Sequence, residues 1–203
     1  MSLELEGHPS ELRMTEEEFD AWCDEDTRAE FVDGVVIDMS PVSTNHARLA
    51  VFILTLLRVH LESREGSEIF GGEVAVRLRP ALRRVPDITY VASEHRDRIR
   101  ENLIEGAPDA VWEIVSPESE ARDWREKYLD YEAAQIPEYW LIDPYSRTLH
   151  LYRLGSDGKY ARVPETDGWL YSETIEGFRM RPDWLWQERL PRVTDCLAAI
   201  RQR

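Results

Sequence analysis

The chain has 203 residues, a mass of 23.8 kDa, 42% apolar residues and 10% aromatic ones. That is enough hydrocarbon for one domain with a sizeable core, and it excludes wholesale disorder. Twenty-five Lys and Arg against 40 Asp and Glu give a net charge of −15, which excludes a protein that coats DNA or RNA non-specifically. Two distant cysteines, Cys23 and Cys196, argue against a disulfide framework or a structural zinc site.

In chain order, the opening MSLELEGHPSEL is acidic and has no apolar run of the signal-peptide kind. Residues 1–13 therefore read as a flexible tail, residues 14–203 as one domain, and the protein as cytoplasmic. Thr15, followed by Glu16, Glu17 and Glu18, is a capping-box signal that opens a short helix to about Cys23. AEFVDGVVIDMSP sets two apolar runs on either side of Asp33-Gly34, a hairpin turn signal. Ser43, Thr44 and Asn45 can cap a long helix from about His46 to Arg64. That helix is apolar almost all round and is expected inside the fold, against a sheet. Its stretch Leu49–Leu61 is too short to span a bilayer and contains Arg58 and His60.

Strands are expected over Ile69–Leu78, Val85–Val91 and Ala110–Val115. Gly71-Gly72 lacks the other glycines and the lysine of a phosphate-binding loop and reads as a turn. A helix over Ser119–Ala134 is ended by Gln135-Ile136-Pro137. Glu138–Ile142 and Thr148–Leu154 form strands around the turn Asp143-Pro144-Tyr145-Ser146. Short strands over Lys159–Val163 and Gly168–Thr174 and a terminal helix over Thr194–Arg201 complete the chain. The pattern predicts one α/β (α+β) domain, a mixed sheet with a buried helix on one side and C-terminal hairpins. The tryptophans read as core and interface, with Trp184–Trp186 as a candidate dimer surface.

The charge is uneven. Residues 1–38 hold thirteen acids and two bases, whereas residues 77–100 hold seven arginines and three acids. Arg77, Arg79, Arg83 and Arg84 could offer bidentate contacts to nucleic-acid phosphates. Equally, they could pair with the acidic N-terminal third.

Two acids stand where a core would not want them. Asp87 opens the apolar run of PDITYV, and Glu113 lies inside AVWEIV. A carboxylate in such a strand suffers heavy desolvation unless it is paired or binds a metal. Side by side on neighbouring strands, the two would suit Mg²⁺ or Mn²⁺, with the Ile114 carbonyl as a third ligand. On the following helix Asp123, Lys127 and Tyr131 are four apart and share a face, which could bring Lys127 to the same pocket. The alternative is an Asp123–Lys127 surface pair with Tyr131 packed beside it. Glu113 taken alone could likewise be an exposed-face residue of a half-buried strand. His46 could be a proton shuttle, a phosphate contact or a hydrogen-bonded structural residue.

The segments MTEEEFDAW, AEFVDGVVIDMSPVSTNHARL, VPDITYV, GAPDAVWEIVSP, ARDWREKYLDYEAAQIPEYWLIDP and LHLYRL lie in this order over about residues 14–155. Together they resemble the Uma-type ("Uma two") family of restriction endonucleases, within the PD-(D/E)XK nuclease superfamily. The resemblance implies a mixed sheet flanked by helices, with Asp87 as the aspartate of the PD motif and Glu113 as the acid of the (D/E)XK motif. It also implies Glu30 as the acid contributed from the N-terminal part. Two residues after Glu113, where the superfamily carries lysine, stands Val115. The resemblance implies that Lys127 substitutes for it.

Three functions follow as expectations. The first is an Mg²⁺-dependent endonuclease hydrolysing DNA, reasonably a homodimer because two strands must be cut. The second is a catalytically degenerate fold that binds nucleic acid or protein. The third is an enzyme acting on a small phosphorylated molecule held by the arginines at 77–84.

Overall fold

A computed structural model describes residues 12–24, 27–62, 65–116 and 122–202, with Arg122, Asp123 and Trp124 described by backbone alone. In chain order the elements are β1 (Leu12–Arg13), α1 (Glu16–Trp22), β2 (Ala29–Val32), β3 (Val35–Asp38) and α2 (Thr44–Leu61). Next come β4 (Glu68–Gly71), β5 (Ala75–Arg79), β6 (Leu82–Arg84), β7 (Ile88–Val91), β8 (Leu103–Glu105) and β9 (Ala110–Ile114). A π-helical turn, Arg122–Lys127, runs into α3 (Tyr128–Ala133). The remaining elements are β10 (Glu138–Asp143), β11 (Thr148–Leu154), β12 (Tyr160–Arg162), β13 (Leu170–Tyr171), β14 (Arg179–Met180) and α4 (Val193–Arg201).

The described residues form two large mixed sheets and one small hairpin sheet. One large sheet has the strand order β1-β3-β2-β6-β5-β8, the other β12-β11-β10-β9-β7-β4, and β13 pairs β14. In the second, β9 and β10 run parallel with Trp112 opposite Trp140, while β7 and β11 flank them antiparallel. Parallel neighbours need a crossover, and the segment containing α3 supplies it.

Alternation along β9 explains why every residue of that strand is buried. Trp112 and Ile114 face a core shared with Leu49, Phe52, Ile53 and Leu56 of α2 and with Cys196, Leu197 and Ile200 of α4. Val111 and Val115 face the other way, onto Tyr131, Ile136 and Tyr139. Burying each such side chain contributes about 1.5–3 kcal/mol. Glu113 therefore sits, by alternation, on the α3 face of a strand buried on both sides.

Local signals act as expected in several places. Thr15 accepts from the Glu18 amide and Glu18 reaches back to the Thr15 N–H, closing the capping box. Asp33 and Gly34 both take positive φ, 48° and 88°, as a two-residue hairpin turn requires. Ser43 caps α2 through the His46 amide.

Other expectations are corrected. Leu12 and Arg13, at the end of the expected tail, pair with Val36 and Val35 of β3; residues 1–11 lie outside the described residues. The single strand expected over 69–78 is two, β4 and β5, in different sheets, because the chain turns at Gly71-Gly72. The strand expected from Val85 begins at Ile88, and β6, β8 and β14 had no periodic signal. Val51 is 64% exposed, so α2 is not buried all round. The expected end of α2 at residues 63–64 and the start of the next helix at 119–121 fall outside the described residues. Trp184 is buried, edge-on to Trp169 with ring centroids 5.3 Å apart, and Leu185 is buried beside it. Trp184 and Leu185 thus belong to the core, and Trp186 is partly buried against it.

Candidate active site

The site lies where β7 begins and β9 ends. Ile88 pairs with Trp112 across these antiparallel strands, and one residue further the register sets Asp87 opposite Glu113. Neighbours opposed in this way have Cβ atoms about 4.5–5.5 Å apart. Asp87 Oδ2 accepts the Ile114 backbone N–H at 2.7 Å and contacts His46 Nε2 at 3.1 Å. Oδ1 of Asp87 has no hydrogen-bond partner among the described residues. His46 is buried at the start of α2, and its Nδ1 has no hydrogen-bond partner among the described residues.

Glu113 is held on both oxygens. Tyr131 donates its phenol to Oε1 at 2.5 Å, and Lys127 Nζ lies 2.8 Å from Oε2. Lys127 also lies 3.3 Å from Glu30 Oε1. Lys127 and Tyr131 are four residues apart, so one helical face delivers an ammonium and a phenol together. Glu30, from β2, accepts Arg84 at 2.7 Å and the Val85 N–H at 3.2 Å. Arg84, from β6, reaches Asp130 of α3 with its remaining donors at 2.7 and 2.9 Å. A chain of alternating charge thus runs Glu113, Lys127, Glu30, Arg84, Asp130, and all but Asp130 are buried.

Electrostatics follow from this chain. Burial alone would push the Glu30 carboxyl up, but the Lys127 and Arg84 charges, the Arg84 hydrogen bond and the Val85 N–H hold it down at about 2. Burial pulls Arg84 down, and Glu30 and Asp130 more than offset it, so the guanidinium stays charged. Burial pushes the Tyr131 phenol well up, and the Glu113 and Glu30 charges push the same way. Tyr131 remains a neutral donor to Glu113.

The structure brings Asp87 and Ile114 into contact and joins Glu113, Lys127 and Glu30 in one network, with His46 on Asp87. The helical lysine stands where Val115 leaves a gap: Val115 packs in the core on the same face. Side chains of Asp123 lie outside the described residues, so the alternative Asp123–Lys127 pair has no geometry; Tyr131 is not packed beside a surface pair but bonded to Glu113.

The four arginines are not an open phosphate-binding face. Arg77 pairs with Glu16 and Glu105, Arg79 with Asp33, Arg83 with Glu16 and Asp20, and Arg84 with Glu30 and Asp130. Hydrogen bonding to Arg77 first, against burial, lowers the Glu16 carboxyl to about 2. Pairing with the acidic N-terminal third, the alternative the sequence left open, is what the structure contains. Sequence reasoning missed the phenol of Tyr131 and the inward role of Arg84. The i, i+4 spacing from Lys127 pointed to the first, but no local signal pointed to the second. The His60 ring lies edge-on to Phe178, far in sequence from the site, with Nε2 3.1 Å from the Glu176 carbonyl.

Among the described residues no three of His, Cys, Asp and Glu gather as a metal-holding cluster. Glu30 is committed to Arg84, Lys127 and the Val85 amide, which leaves two carboxylates. Alternation turns the Ile114 peptide edge toward β7, where the register reaches Pro86, which has no N–H to offer its carbonyl. Asp87 Oδ1, the Glu113 carboxylate and that carbonyl are all hard oxygen donors. Such a set suits Mg²⁺, which keeps several waters and uses one or two carboxylates plus substrate phosphate.

Beside Asp87 opens a cleft of about 650 Å³ between α2, residues 39–42 and the Gly71-Gly72 turn. A Cβ on Gly72 would lie 3.3 Å from Asp87 Cα, so glycine lets the turn pack against the Asp87 backbone.

Comparison with known proteins gives the family and the fold. A family model named Uma2, described as "Putative restriction endonuclease", matches residues 16–186. A crystal structure of a "putative nuclease belonging to DUF820" from Anabaena variabilis superposes with a TM-score of 0.70 at 18% identity, covering 85% of this chain and 97% of that one. Two uncharacterized proteins of Synechocystis sp. are similar in sequence. The protein sll1609 is 25% identical over 131 residues, 63% of this chain and 73% of its own. The protein slr1290 is 27% identical over 151 residues, 73% of this chain and 78% of its own.

Proposed function

The chain belongs to the Uma2 family of restriction-endonuclease-like proteins, and from that membership we propose that it is a metal-dependent endonuclease hydrolysing phosphodiester bonds in DNA. The observation that carries the reading is the meeting of Lys127 with Glu113 beside Asp87. The ammonium missing from the strand is supplied by the helix, 2.8 Å from the acid. Asp87, Glu113 and the Ile114 carbonyl would hold Mg²⁺ or Mn²⁺, which supplies charge neutralisation at the phosphate and a more acidic water.

The chain's own groups do the rest. Lys127 Nζ can donate to the attacking water or to the charge growing on the phosphate. The Tyr131 phenol and Lys127 fix both Glu113 oxygens, so the carboxylate does not swing. Glu30, held ionised by Lys127 and Arg84, places a carboxylate 3.3 Å from Lys127 Nζ. His46 fixes Asp87 through Oδ2, which leaves Oδ1 to face the substrate side. Water attacks phosphorus, the phosphorus–oxygen bond to the leaving sugar breaks, and that oxygen takes up a proton. The paired arginines give no support to the reading as a clamp for small phosphorylated molecules.

The test is direct. Purified protein with Mg²⁺ or Mn²⁺ is expected to nick supercoiled plasmid DNA, and Asp87→Ala or Glu113→Ala to abolish nicking while the far-ultraviolet circular dichroism is unchanged. Full activity in either variant overturns the assignment. Metal binding by wild-type protein without any cleavage would instead favour a degenerate binding module. A homodimer remains part of the proposal, checked by sedimentation.

A further inference from the structure

The cleft beside Asp87 differs in chemistry from a phosphate site. Most of its wall is hydrocarbon: Pro41 and Val42 on one side, Ala47, Ala50, Val51 and Leu54 of α2 on another. Among the described residues the polar side chains that line it are Arg28, Ser40, His46, Glu73 and Asp87, and Arg28 is ion-paired with Glu73 at the rim. A phosphodiester gains nothing from such walls, whereas the flat apolar face of a nucleobase does. At about 650 Å³ the space falls within the usual range of small-molecule sites, about 300–1,000 Å³. It can hold a nucleotide or two, not a duplex.

Charge argues the same way. Duplex binding draws its affinity from many neutralised phosphates. Here Arg77, Arg79, Arg83 and Arg84 are each committed to acids of the same chain, and the net charge is −15. Little energy is on hand to extract a base from an intact helix. A strand whose bases are already unpaired has no such cost.

We infer that the cleft lined by Val42, Ala50 and Val51 receives one unpaired nucleobase of a single strand, adjacent to the phosphate at Asp87, so that single-stranded or frayed DNA is the preferred substrate. The inference rests on the nuclease reading for the phosphate, but the base site can be measured without cleavage.

The experiment uses the full chain in Ca²⁺ with a short oligonucleotide carrying one 2-aminopurine, as a single strand and as a duplex. Cleavage of the same strands is followed separately in Mn²⁺. Expected are at least tenfold tighter binding of the single strand, with a change in 2-aminopurine emission, and faster cleavage of it. Ala50→Trp, which fills the cleft, and Val51→Glu, at an exposed position that folding tolerates, are each expected to weaken single-strand binding at least tenfold. Equal or tighter duplex binding, or wild-type single-strand binding in Val51→Glu, overturns the inference. Cleavage with no single-strand preference fails this inference and leaves the nuclease reading standing. Single-strand binding lost in both variants, without cleavage in the wild type, supports the base site and fails the nuclease reading. Neither binding nor cleavage fails both.

Discussion

At the scale of single residues, Arg84 decides how much charge the interior can carry. Its side chain is almost wholly buried, yet it satisfies Glu30 from one nitrogen and Asp130 from two others. Removing one partner of a buried ion pair leaves an uncompensated charge, which costs about 3–5 kcal/mol. Arg84→Met is therefore expected to lower unfolding stability by that amount in urea titration. Arg84→Lys should recover only part of it, because a single ammonium cannot reproduce the fork that spans two carboxylates. The sequence made Asp87 and Glu113 visible because acids in apolar strands are conspicuous. It made Lys127 visible by resemblance and by its shared face with Tyr131. For Arg84 the sequence left phosphate contact and internal pairing both open, because its partners, Glu30 and Asp130, are 54 and 46 residues away. Nothing in a local window reports such a pairing.

At the scale of elements, legibility followed the range of the forces involved. The capping box at Thr15, the hairpin at Asp33-Gly34 and the strand Thr148–Leu154 are set by neighbouring residues, and each was readable. Strands of two or three residues, such as β8 and β14, are too short to show a period, so pairing partners define them. The break between β4 and β5 was half visible: Gly71-Gly72 announced a turn, but not a change of sheet. That turn packs on the backbone just before β7, because Gly72 leaves only enough room for Asp87. Gly72→Val is expected to push Asp87 out of register with Glu113. The predicted outcome is at least a tenfold loss of nicking, with metal affinity reduced by a similar factor in calorimetry. Unchanged values for both would show that the turn has no part in positioning Asp87.

At the scale of the whole molecule, acids of the N-terminal third are paired within the fold, although the net charge stays at −15. The acidic N-terminal elements bind the arginines of β5 and β6, so charge that looks unbalanced in sequence is locally matched. Stability must then depend on acid ionisation. Glu30 and Glu16 both lie at about 2 in the folded protein, below the ordinary 4.5. The unfolded chain therefore takes up protons that the folded one refuses. The stabilisation is complete above about pH 5 and is lost as pH falls toward 2. For buried Glu30 it is on the order of 3 kcal/mol. Denaturant titrations between pH 7 and pH 3 are expected to show stability falling through the lower half of that range. In Glu30→Gln the fall should be shallower, and an unaltered slope would remove Glu30 from the account. Among the described residues no helix is long and apolar enough to cross a membrane.

The position of Lys127 has a wider consequence. In a strand that carries both acid and lysine, one short segment must serve the hydrophobic interior and the reaction at once. Here Val115 keeps the strand's place in the core while a helix brings the cation. The duties are split between two pieces of chain that can drift independently, provided the ammonium arrives at the same point. The ammonium reaches the acid through space and not through spacing along the chain. A motif defined by a lysine two residues after the acid would pass over Lys127, which stands fourteen residues after Glu113.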